Sequence, residues 1–121
     1  MQLEKINQQF SICKVTQIDA EILKNEFVFL SKTDHELSLI CRTDFVPGDV
    51  IELEDGWGCF RIAEDAAFEK YGMIAFLTQI IANEKTGVLV VATYDTDYLL
   101  IKSAKMEAVC DALHKNGCQF L

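Results

Sequence analysis

Proline is nearly missing from this chain, with Pro47 alone among 121 residues. No low-complexity tract accompanies it, so proline-rich linkers and recognition segments are excluded. Basic residues are also scarce: 11 Lys and Arg stand against 19 Asp and Glu, for a formal net charge of -8. Phosphate backbones need a basic surface, so nucleic acid is not an expected partner. Anionic membranes are not expected partners on the same ground. The plain consequence of the acidity is solubility; the more specific one is attraction for a cationic or amine-bearing ligand.

Long hydrophobic runs are absent too. Residues 1–7 lack the apolar core of a signal peptide, and no segment approaches the length of a membrane span. The five cysteines, Cys13, Cys41, Cys59, Cys110 and Cys118, are odd in number, scattered and without a Cys-x-x-Cys pair. With no export signal they read as reduced, buried small hydrophobes of a cytoplasmic protein. Structural zinc wants clustered ligands, so neither a metal nor a cofactor is expected. His35 and His114 have no catalytic partner in spacing. No Gly-x-Ser-x-Gly or Gly-x-x-x-x-Gly-Lys occurs, and nothing sets a nucleophile beside a base, so the chain is not expected to be an enzyme.

What is present is a hydrophobic half of the sequence, ample for the core of one ordinary domain. An internal similarity runs through it. Ser31-Lys32-Thr33-Asp34-His35-Glu36-Leu37-Ser38-Leu39-Ile40 and Ala92-Thr93-Tyr94-Asp95-Thr96-Asp97-Tyr98-Leu99-Leu100-Ile101 both read as an acidic turn entering an apolar strand. A gapless match places Asp34 on Asp95, Glu36 on Asp97, Leu39 on Leu100 and Ile40 on Ile101. The repeat predicts two similar α+β halves. Halves of about 60 residues bury too little surface to stand alone, so they should pack together or the chain should dimerise.

In the first half, residues 10–15 alternate as a strand, residues 18–25 hold a turn or two of helix, and residues 27–31, 36–42 and 50–53 are further strands. Asp55-Gly56-Trp57-Gly58 reads as a break and hinge, with Trp57 a rim-packed linker residue or an aromatic lid. In the second half residues 59–62 form a strand and residues 66–83 a helix, with Ile74, Leu77, Ile80 and Ile81 on its apolar face and Met73 and Phe76 widening it. The unbroken apolar run 87–92 reads as a strand buried on both faces or at an interface. Residues 98–102 are its hairpin partner. Residues 104–115 are an amphipathic helix with Met106, Val109, Cys110 and Leu113 on one stripe, Ser103 as N-cap and Asn116-Gly117 as stop. Residues 118–121 close as a strand. Strand–helix–strand–strand–helix–strand is the ferredoxin-like order.

That order, with Glu54-Asp55-Gly56-Trp57-Gly58-Cys59-Phe60-Arg61-Ile62, Gly72-Met73-Ile74 and Ala92-Thr93-Tyr94-Asp95-Thr96-Asp97-Tyr98-Leu99-Leu100, resembles the paired ACT-domain proteins related to the CASTOR arginine sensors. The Ser31-to-Cys41 stretch carries the same likeness in the first half. The resemblance implies two ferredoxin-like ACT modules in tandem: a divergent one over residues 8–56 with shortened helices, and a second over residues 57–121. It also implies a non-catalytic, cytoplasmic regulatory protein, a homodimer, binding an amino acid at a seam between modules. Carried over by motif, the seam is lined by Lys70, Tyr71, Gly72, Met73 and Ile74 and by Thr93, Asp95 and Asp97. Relatives have a small residue where this chain has Tyr71. Such a ring contacts ligand, fills the pocket or simply packs.

The chemistry is that of a zwitterion. Unpaired amides at a helix N-terminus favour a carboxylate, Gly72 lets that backbone approach, and Asp97, or failing it Asp95, suits the ammonium. Each residue also has a plainer reading: the aspartates as turn formers, the glycine as a packing contact. The alternative function is an interaction and dimerisation module with no ligand.

Overall fold

The computed structural model describes residues 1–64 and 71–121, without the side chain of Glu64. The described chain divides into two compact units. One is Met1–Asn7 with Gly58–Leu121; the other is Gln8–Trp57. Two long strands, β1 (Gln2–Val15) and β4 (Glu52–Glu64), each contribute to both.

The Gln8–Trp57 unit contains the second part of β1, a 3₁₀ turn at Ala20–Lys24, β2 (Phe29–Lys32), β3 (Leu37–Arg42), a 3₁₀ turn at Thr43–Phe45 and the first part of β4. Its strands lie in the order β2-β3-β1-β4. Cys13, Val15, Ile22, Leu39 and Cys41 form its core, with Ile18, Val28, Leu37, Phe45, Val46 and Val50 packed around them. A fully buried hydroxyl, Ser11, is satisfied by the Thr43 hydroxyl and the Asp55 carboxylate.

The other unit runs from the second part of β4 through α1 (Met73–Asn83), β5 (Leu89–Ala92), β6 (Asp97–Lys102), a 3₁₀ turn at Ser103–Lys105, α2 (Met106–Lys115) and β7 (Gln119–Phe120). Its strand order is β5-β6-β4-β1-β7. Residues 1–7 stand beside β4, and β7 runs parallel to them, with Gln2 opposite Gln119 and Leu3 opposite Phe120. Phe60, Ile62, Leu99 and Ile101 from the sheet meet Met73, Leu77, Ile80 and Ile81 of α1 and Met106, Val109 and Leu113 of α2. Burying each large apolar side chain contributes about 1.5–3 kcal/mol, so this cluster is the main source of the unit's stability. The α+β architecture, with two helices and ferredoxin-like strands, is the one expected.

Several expectations are corrected. Residues 55–58 are not a break: they lie inside β4, and Trp57 is buried there, neither linker nor lid. Gly58 permits this because a Cβ at that position would come within 2.5 Å of Met106 Cε. A glycine inside a strand marks a close approach as readily as a break. β1 begins at Gln2, well before residue 10, and residues 1–7 of it carry Leu3 into the core. Helix α1 starts at Met73; the expected residues 66–70 lie outside the described chain. Its buried stripe is Met73, Leu77, Ile80 and Ile81, while Ile74 is half-buried and Phe76 exposed, a small rotation of the expected face. Ser103 is not the N-cap of α2 but the first residue of the preceding 3₁₀ turn.

The C-terminal stop holds: Gly117 has φ +94°, its N–H donates to His114 O, and the Cys118 N–H donates to Leu113 O. This is the paired hydrogen bonding of a Schellman close. Strand β5 is not central. It pairs with β6 alone among the described strands, and Val90 is 41% exposed.

The two acidic turns are the same local structure, but in a different register. Thr33 N–H donates to Glu36 O and Thr93 N–H to Thr96 O, each at 2.9 Å. In both turns the threonine hydroxyl also donates to that carbonyl and accepts an amide. Thr33 therefore corresponds to Thr93, Leu39 to Leu99 and Cys41 to Ile101, and the two following strands share one burial pattern. The gapless match set acid on acid and was one residue out. In a strand, a shift of one exchanges the two faces.

Candidate functional site in the α1–β6 region

Gly72 precedes α1 in the left-handed region, with φ +78° and ψ 0°. Apart from its chain neighbours, no atom of the described residues lies within 4 Å of where its Cβ would be, so the position needs glycine for its backbone angle rather than for a close approach or packing. The Phe76 N–H donates to Gly72 O at 2.9 Å and closes the first turn. The amides of Met73, Ile74 and Ala75 precede that bond and have no intrahelical acceptor, as at every helix start. No acidic side chain occupies the first turn, and among the described residues no side chain caps it.

The turn between β5 and β6 lies next to this end of α1. Ile62, Met73, Ile74, Thr93, Tyr94, Asp95, Thr96 and Asp97 line one depression of about 190 Å³. Of the residues expected at a site, it brings together Met73, Ile74, Thr93, Asp95 and Asp97. Gly72 and Tyr71 are not among its lining residues, and Tyr71 is 88% exposed. Lys70 lies outside the described residues. The Thr93 hydroxyl donates to Thr96 O at 2.6 Å, so its proton serves the turn. Thr96 ties the turn to β4 by donating its hydroxyl to Ile62 O at 2.6 Å. Asp97 opens β6 opposite Ala92, half-buried, while Asp95 is exposed at the turn.

A larger depression of about 460 Å³ flanks the same turn and includes Glu4, Arg61, Ala63, Thr93, Asp95, Thr96 and Tyr98. Arg61 donates from Nε and Nη2 to Glu4 Oε1 at 3.1 and 2.8 Å, and from Nη1 to the Tyr98 hydroxyl at 2.9 Å. These hydrogen bonds, first that to Tyr98 and then that to Glu4, push the guanidinium pKa up, so Arg61 is always a cation. Sequence reasoning missed it, because its partners are 57 and 37 residues away and no local spacing marks the group.

Cys13, Cys41, Cys59 and Cys118 are buried free thiols and Cys110 is half-buried. Burial raises the pKa of each, that of Cys41 to about 11 and that of Cys59 to about 12, so none is poised as a nucleophile. No group of metal-ligating side chains forms among the described residues. No described helix is long and apolar enough to cross a membrane.

The geometry defines a small α+β module with a helix-end depression, and the family follows from the comparisons. The ACT-domain family model matches residues 52–115, so the chain belongs to the ACT-domain family. A solved protein from Agobacterium tumefaciens is 31% identical, covering 99% of this chain and 91% of its own, with a TM-score of 0.89. A Vibrio cholerae protein of unknown function, described as a possible transport protein, is 17% identical over 94% of this chain and 88% of its own, with a TM-score of 0.76. The ligand-free regulatory subunit of aspartate kinase from Thermus thermophilus is 14% identical over 89% of this chain and 92% of its own, with a TM-score of 0.63. The latter two likenesses are of fold. No curated protein matches the sequence at a significant level.

Proposed function

We propose that this protein is a non-catalytic regulatory ACT-domain protein that binds a free amino acid, with the depression between the start of α1 and the β5–β6 turn as its site. The supporting observation is that Met73 and Ile74 of the first turn of α1 line one cavity with Asp95 and Asp97. The ligand carboxylate meets the open amides of α1, and its ammonium meets Asp97, with Asp95 second. A charge-assisted hydrogen bond contributes about 1.5–3 kcal/mol. Micromolar binding needs about 8 kcal/mol, so apolar contact from Ile62, Met73 and Ile74 supplies part of the remainder.

Residues 8–56 and 57–121 are, in this reading, duplicated ACT modules of the CASTOR-related kind, and the chain works as a cytoplasmic homodimer. The exposed edge of β5 favours association, because an unpaired apolar edge is a template for another strand. A cavity of about 190 Å³ is small beside the 300–1,000 Å³ of most ligand pockets, which suits a ligand of amino-acid size.

Thermal melting against the twenty amino acids tests the reading. At 100-fold above Kd the bound ligand adds about 2.7 kcal/mol of stability. The Asp97→Asn variant loses affinity about tenfold, roughly 1.4 kcal/mol, with the free protein's melting point nearly unchanged. A panel without any shift rejects amino-acid binding and leaves the interaction module as the function.

A further inference from the structure

We propose that the depression around Arg61 is a second small-molecule site of the Gly58–Leu121 unit, one that takes a dipolar ligand bearing both a carboxylate and an ammonium group. Phe60 and Ile62 of β4, and Leu99 and Ile101 of β6, pack against the helices. Side chains alternate along a strand, so Arg61 and Tyr98 stand on the sheet face opposite these helices. There Arg61 is already oriented. Glu4 Oε1 takes Nε–H and one Nη2–H, and the Tyr98 hydroxyl takes one Nη1–H. Among the described residues these three bonds leave one N–H on each terminal nitrogen, because a guanidinium carries two on each. The tyrosine ring also packs against the guanidinium, with the ring centroid 5.8 Å from Cζ. A guanidinium pinned by three hydrogen bonds and a ring loses little rotamer freedom when it binds, which favours a planar carboxylate on the remaining donors.

The other charges select the ligand. Glu4 and Asp95 line the same depression as Arg61. A simple anion gains Arg61 but faces both carboxylates, and a simple cation gains the carboxylates but faces Arg61. A molecule with both charges meets each sign with its complement: its carboxylate on Arg61, and its ammonium on Asp95, the carboxylate not already engaged by the guanidinium. Thr93 and Thr96, whose hydroxyl protons are used within the fold, have only acceptor oxygens to offer, and a cavity of about 460 Å³ is large enough for a small metabolite. Asp95 also lines the helix-end depression, whereas Asp97 lines that one and not this one, and Arg61 this one and not that one. The two sites are therefore separable by mutation.

Nuclear magnetic resonance titration of the intact protein tests this, with the twenty amino acids and γ-aminobutyrate as probes. At least one probe shifts the Arg61 Nε–H and Tyr98 amide signals saturably, and Asp97→Asn leaves that titration unchanged. Arg61→Gln weakens it about tenfold or more. Because Arg61→Gln also strips Glu4 of its partner, Tyr98→Phe is the second variant. It keeps the ring, removes one hydrogen bond that orients the guanidinium, and weakens the same titration by a smaller factor. The proposal is overturned if no probe moves the Arg61 and Tyr98 signals up to millimolar concentration, or if every such shift disappears in Asp97→Asn.

Discussion

At the scale of single residues, the charged groups and the thiols divide the labour. Glu4 and Tyr98 hold Arg61 as a cation, whereas burial keeps the cysteines neutral. Cys59 is the extreme case: it is fully buried beside Phe60, and burial lifts its pKa from 9.0 to about 12, opposed in part by Arg61. The sign of the linkage follows. In the unfolded chain the thiol ionises near pH 9, while in the native state it keeps its proton until far higher pH. The unfolded state therefore holds fewer protons between these values, and stability falls as pH rises through that window. Cys41, raised to about 11, acts in the same direction. Melting from neutral pH into the alkaline range should show full stability below pH 9 and a decline above it. The decline should be shallower in Cys59→Ala, whose overall stability is lower at every pH because of the cavity. Equal alkaline slopes for parent and variant would remove Cys59 from this account.

At the scale of elements, the ends of the helices decide more than their middles. Helix α1 begins from Gly72 in a left-handed conformation with open space where a Cβ would go. Alanine there meets no described side chain but forces an L residue into a disfavoured region, a cost of about 1–2 kcal/mol. Gly72→Ala should lower the melting point accordingly, and Gly72→Asn should recover part of the loss, since asparagine tolerates this region. A loss identical for both would point away from the backbone angle. The same ends show what could be read beforehand. The stripe of α2 and its Asn116-Gly117 stop were legible, because a 3.6-residue period and a glycine past the last turn are local signals. The turn at Thr93 was legible as a turn, but its equivalence with Thr33 was not. Matching Asp34 to Asp95 compared charges, while the structure repeats the threonine that caps the turn. The length of β1 was hidden because its buried positions do not alternate: Leu3 and Ile6 are three apart and Phe10 and Ser11 adjacent. The gathering of residues at the helix-end depression was legible in part, since Asp95, Asp97, Met73 and Ile74 carry local motifs. Arg61 was not, since its meaning comes from Glu4 and Tyr98, brought together only by the sheet.

At the scale of the whole molecule, residues 1–7 belong with Gly58–Leu121, so a cut where the sequence invites division leaves that unit short of a strand. Cutting before Gly58 gives a fragment, residues 58–121, that keeps α1, α2 and the β5–β6 hairpin. It loses residues 1–7, which supply fully buried Leu3 to the core, Glu4 to Arg61, and the strand on which β7 pairs. Gln119 N–H donates to Met1 O and Leu121 N–H to Leu3 O, so the C-terminal strand is left without its ladder. Removing a buried leucine side chain alone costs about 2–5 kcal/mol, and a domain's entire stability is of the order of 5–15 kcal/mol. The fragment 58–121 should therefore lack a cooperative melt and show poor amide dispersion. A permuted chain that joins residues 1–7 through a flexible linker after Leu121 should recover both, because the strand it restores is the missing neighbour of β4 and β7. Cooperative folding of 58–121 by itself would mean that residues 1–7 only decorate a module complete without them.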